Sequence, residues 1–166
     1  ASSGSVTLNI FGGSSESGNT VDNNVILSGD VVVGNNVFGG YNEGLSGNVT
    51  GNSVTMTGGT VINDLKYIGL YGGNIVGGSG DVVNGVELTG GIVDGDLVGG
   101  KNTGSGDAIG NTVKISNGYA RRIYGGETSS GIAGNNKVTI NDGADIGLTV
   151  FGGYTNTGIA EYNEVY

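Results

Sequence analysis

Val37-Phe38-Gly39-Gly40 decides the fold, because the same pattern returns five more times along the chain. It recurs as Ile10-Phe11-Gly12-Gly13, Leu70-Tyr71-Gly72-Gly73, Leu97-Val98-Gly99-Gly100, Ile123-Tyr124-Gly125-Gly126 and Val150-Phe151-Gly152-Gly153. The first glycines of successive copies lie 27, 33, 27, 26 and 27 residues apart. A near-constant period in this range marks a repeat architecture, in which each unit buries its apolar side by stacking on its neighbours.

Working outward from the glycine pair, each copy carries a later glycine (Gly18, Gly47, Gly80, Gly106, Gly131, Gly158) and then an asparagine (Asn23, Asn52, Asn84, Asn111, Asn136, Asn163). Two residues further on comes a valine: Val25, Val54, Val86, Val113, Val138 or Val165. Two beyond that, in the first five copies, is Leu27, Met56, Leu88, Ile115 or Ile140. The N-x-V-x-[ILM] step has period two, the signature of a strand with one face buried. Glycine every few residues costs about 1 kcal/mol each inside a helix, so helix is excluded. The expected fold is all-β: a β-solenoid, as a right-handed parallel β-helix of about six coils with one repeat of about 27 residues per coil. Three short segments per coil are expected, closing a triangular or flattened section. Residues 1–166 read as a single repeat domain, a fragment of a longer solenoid. Its end coils would offer unpaired strand edges suited to head-to-tail self-association.

Three expectations concern particular positions. The glycine pairs are assigned to corners that need positive φ. The asparagine column has two readings, a stacked amide ladder or a set of left-handed turn residues. The longest copy carries an unmatched stretch, 62–67, expected to bulge as a loop.

Composition then limits the chemistry. The chain has 38 glycines, no cysteine, no histidine and a net charge of −9. Ser-His-Asp and Cys-His catalysis, thiolate metal sites and disulfides are thereby excluded. No basic cluster exceeds Arg121-Arg122, so no nucleic-acid partner is expected. No apolar run reaches the roughly 20 residues needed to span a bilayer, so no membrane insertion of this segment is expected. A carboxylate pair remains open for glycosidic cleavage, with Asp94 and Asp96, or Asp81 and Asp107 if these stack on adjacent coils. Aspartate in such turns also serves its own backbone. Gly77-Gly78-Ser79-Gly80-Asp81-Val82-Val83 is a single calcium-roll-like fragment without a tandem partner, and no phosphate loop is present, so no metal or cofactor is expected. Ice binding would need regular threonine pairs. Only Thr55/Thr57 provides one, and Glu87 beside Lys114 reads as a charge pair between coils.

The aromatic column is the candidate binding strip. If Val37 points inward, alternation sends Phe38 outward, with Phe11, Tyr71, Tyr124 and Phe151. Tyr41 and Tyr154 extend the same strip. It reads either as a self-packed ladder over glycine-rich backbone or as a platform for a glycan or protein receptor.

The repeat I/V-[FY]-G-G…G…N-x-V-x-I-x-x-G resembles the passenger-domain repeats of bacterial autotransporter adhesins, the type V secreted surface proteins, over all but the first few residues. That resemblance implies secretion or display on a bacterial cell surface, anchored through a region outside this chain. It also implies a non-enzymatic adhesin or stalk role. The alternatives are a polysaccharide-active β-helix enzyme, an ice-binding protein and a self-assembling filament subunit.

Overall fold

Residues 3–62 and 68–166 are described by the computed structural model. All elements assigned among them are β-strands, joined as parallel neighbours into one sheet of nine strands and one of ten. Stretch 62–67 therefore lies almost wholly outside the described residues. The columns read from the sequence are the ladders of the fold. Ile10, Val37, Leu70, Leu97, Ile123 and Val150 pair in register along the first sheet. Val25, Val54, Val86, Val113, Val138 and Val165 do so along the second. The chain is a β-solenoid of about six turns with a spacing near 27 residues.

Most coils consist of three strands, as expected, with breaks inside or between them. In the coil of Leu97, the strand Ile92–Asn102 shifts register between Val93 and Asp96, which splits one side in two. The return side is split between Ala108–Ile109 and Thr112–Ile115 by Gly110, at φ 70°. Two broken sides facing each other give a flattened section.

The interior has two apolar compartments. The larger holds the Val37 column, the Val25 column as far as Val138, the Leu27 column and Val31, Val33, Val61, Val93 and Ala120. The smaller holds Val49, Ile75, Val82 and Ala108. Between them the glycine pairs of one sheet meet the asparagines of the other. A Cβ on Gly39 would lie 2.8 Å from the backbone of Ser53, and one on Gly40 2.5 Å from Asn52 Nδ2. The pairs are therefore glycine because two backbones approach closely. None of them adopts positive φ, which corrects the corner assignment. Positive φ falls instead on other glycines, among them Gly29, Gly59, Gly91 and Gly118, and on the residue immediately before five of the column asparagines: Asp22, Gly51, Gly110, Asn135 and Tyr162.

That placement settles the role of the asparagines. Asn52 Nδ2 donates to Asn84 Oδ1 at 2.9 Å and to Thr20 O at 2.8 Å, while Asn84 Oδ1 also accepts from Asn52 N. Asn111 and Asn136 repeat the pattern toward Asn163. The amide ladder therefore satisfies buried polar groups where glycine leaves no side chain to do so. A second ladder runs at another corner. Asn19 Oδ1 accepts from Asn48 N, Asn48 Oδ1 from Asp81 N, Asp81 Oδ1 from Asp107 N, and Asp107 Oδ1 from Ile132 N.

Candidate ligand-binding face

The outer face of the first sheet carries the predicted strip. Both glycines of a pair turn their Cβ positions toward the opposing sheet, so alternation skips a beat there. Phe38 and Tyr41, three residues apart, consequently share the outer face, with ring centroids 4.8 Å apart.

The seven predicted residues form two groups. Phe11, Phe38 and Tyr71 stack in sequence at 5.3 and 5.1 Å, with Tyr41 tilted over the first two. Tyr124 stacks on Phe151 at 5.2 Å, with Tyr154 against both. Val98 interrupts the column between Tyr71 and Tyr124. The rings lie outside the main core, as alternation requires, but Phe38, Tyr71 and Tyr124 are buried among themselves and Val98. Phe11 and Tyr154 remain exposed, and Tyr41 and Phe151 are half-buried. Offset stacking contributes about 0.5–1.5 kcal/mol per pair beyond area burial. The middle rings thus serve the ladder, and the surface they leave is smaller than a continuous exposed strip.

Polar columns flank the rings. On one side Arg122 binds Asp96 with two hydrogen bonds, at 2.8 and 3.0 Å, beside Tyr124. Burial pushes the Asp96 carboxyl up, partly offset by Arg122, whose guanidinium is held charged by the same bonds. Burial also pushes the Tyr71 hydroxyl well above its usual range, reinforced by Asp96 and Glu127. On the other side Ser14, Tyr41, Asn74, Lys101, Glu127 and Tyr154 stand in register. Lys101 Nζ donates to both Glu127 oxygens, at 2.8 and 2.9 Å.

A groove of about 330 Å³ opens across these columns, lined by Asn9, Asn36, Phe38, Tyr41, Tyr71, Asn74, Lys101 and Thr103. Asn74 is 7% exposed, and its Oδ1 has no hydrogen-bond partner, the one such buried side-chain atom among the described residues. The sequence singled out neither Asn74 nor Lys101, although the replacement of Tyr41 by Asn74 in one column was visible. A hollow of about 380 Å³ lies over Gly85 on the second sheet. Within it Lys114 pairs with Glu87 at 2.9 Å and Ser53 donates to Asn24.

The carboxylate pairs are likewise engaged. Asp94 meets Arg121 at 3.2 Å and Asp96 meets Arg122, while Asp81 and Asp107 stack on adjacent coils and cap backbone N–H groups. Comparison with protein-family models, curated proteins and solved structures finds no match for this chain.

Proposed function

We propose that this solenoid is a non-enzymatic adhesin segment, secreted or displayed on a bacterial surface, which presents the outer face of its first sheet to a host or bacterial partner. The observation that carries the reading is the groove beside the aromatic ladder, held on a scaffold in which every coil is bonded in register to the next. A receptor site gains from such a support, because rigid elements hold contact groups in place at little entropic cost on binding. The engagement of each candidate carboxylate in an ion pair or a backbone cap favours a binding role over acid–base work.

Beads coated with the purified chain test the reading. They should adhere to host or bacterial cells more than beads coated with an inert protein of equal charge. Equal adherence would remove the proposal. Release of reducing ends from anionic polysaccharides, abolished by Asp94→Ala or Asp96→Ala, would replace it with the enzymatic alternative.

A further inference from the structure

We infer that Asn117-Gly118 is a self-modification site, at which the folded chain deamidates through a succinimide while its other Asn-Gly pair, Asn84-Gly85, is held inert. The inference does not depend on the adhesin reading. Two residues past the Leu27 column, the first three coils carry Gly29, Gly58 and Gly90, and the next two carry Asn117 and Asp142. Asn117 therefore departs from glycine at a corner where stacking asks for no side chain. Gly118 has no such latitude. Its φ is 98°, and a Cβ there would meet the Gly91 carbonyl oxygen at 2.5 Å. Once asparagine stands at 117, the fold itself completes the reactive pair.

Ring closure needs a carboxamide free to turn, open space beside it and a following N–H that can leave its partner. Asn117 is exposed, and its side chain makes no hydrogen bond to any described residue. Its Oδ1 overhangs bare Gly143 of the next coil. Gly118 opens its strand and pairs on one side alone, with Ala144, since pairing to the preceding coil begins at Tyr119. The Gly118 nitrogen attacks Asn117 Cγ and the new C–N bond closes the ring. Nδ2 leaves as ammonia, carrying the proton that Gly118 gives up. Water then opens one ring carbonyl or the other, leaving aspartate or isoaspartate. Asn84 meets the opposite conditions. It is buried, its Nδ2 donates to Val49 O at 2.6 Å, its Oδ1 accepts from Asn52 N at 2.9 Å, and Gly85 is paired on both sides, with Ser53 and Thr112. Isoaspartate inserts an extra backbone carbon between Ser116 and Tyr119, whose N–H groups bond Leu88 O and Gly91 O of the preceding coil, each at 3.0 Å. Those two bonds cannot then both keep register, so this corner loosens as the chain ages.

The test incubates the folded chain at mildly alkaline pH, where the Gly118 nitrogen gives up its proton more readily, and maps digests by mass spectrometry over time. The expected result is conversion at Asn117, part of it isoaspartate, at least about tenfold faster than at Asn84, whose ladder bonds must open first. In denaturing guanidinium the two pairs should convert at similar rates. Asn117→Gly, which restores the residue of the preceding coils, should abolish the isoaspartate and hold the melting temperature steady through the incubation, while that of the parent falls. Conversion at Asn117 that proceeds in guanidinium but stays negligible in the folded chain overturns the site. So does conversion of folded Asn84 as fast as Asn117. A parent whose melting temperature is unchanged once Asn117 has converted overturns the loosened corner.

Discussion

Asn111 is the rung on which the asparagine ladder can be tested most directly. Its Nδ2 donates to Val82 O at 3.1 Å and to Asn136 Oδ1 at 2.9 Å, and its Oδ1 accepts from Asn84 N at 2.7 Å. Asn111→Ala deletes all three bonds, at about 0.5–1.5 kcal/mol each, and orphans the buried Asn84 N–H at a further 1–3 kcal/mol or so. The expected loss is about 2.5–7.5 kcal/mol, large against a total stability of order 10 kcal/mol. Asn111→Asp separates shape from chemistry. Its carboxylate still accepts from Asn84 N, but turns an acceptor toward Val82 O and Asn136 Oδ1. Ionisation is therefore disfavoured in the folded state, and the folded pKa rises above the unfolded one. The carboxyl's contribution is then fully present below the unfolded pKa and is lost as pH rises through the folded one. Urea titrations followed by circular dichroism, with hydrogen exchange at the Asn84 amide as a local probe, should show this variant recovering stability in acid relative to the parent. A cost below about 1 kcal/mol for Asn111→Ala, or parallel pH profiles for parent and Asn111→Asp, would refute the claim that the amides hold the pinch together.

Gly39→Ala places a methyl 2.8 Å from the Ser53 backbone, which cannot retreat without breaking register. Overpacking there should cost about 1–3 kcal/mol, read as a lower urea midpoint. The raised Asp96 carboxyl makes the parent lose stability relative to Asp96→Asn as pH climbs through its folded pKa, so the gap between the two should be wider in acid than at neutrality. Glu87 and Lys114 are both exposed, so a double-mutant cycle across their 2.9 Å pair should give less than about 1 kcal/mol, shrinking further in salt.

Stacking was legible because a repeat period projects directly onto a spatial column. Val37 and Leu70 are paired residues for the same reason that they are equivalent letters. What glycine and asparagine do within a column was less legible, since each residue type answers two different physical demands. Glycine serves positive φ and close approach alike. Only the distance from Gly39 to Ser53 shows that close approach governs in the pairs, while positive φ falls to other glycines, such as Gly59 and Gly91, and to Asp22, Asn135 and Tyr162. The aromatic strip was legible in its parity but not in its burial. Alternation alone does not reveal that both glycines face inward and bring Tyr41 onto the same face as Phe38. Autotransporter membership and cell-surface placement stand on the repeat pattern alone and belong to the proposal.

In an array of near-identical coils, agreement with the column needs no explanation beyond stacking, so the informative residues are those that depart from it. Val98 departs in the ring column, while the column beside it changes residue type from coil to coil and places Asn74 and Lys101 on adjoining coils. Lys101 is accounted for by Glu127 one coil on, and Val98 by its complete burial among the rings. Asn74 is left over. A buried acceptor without a donor lowers the stability of the coil that contains it, whereas a valine there would pack and favour the strand. Asn74→Val should therefore raise the melting temperature. A melting temperature that falls by several degrees would mean that Asn74 holds its own coil together through its amide.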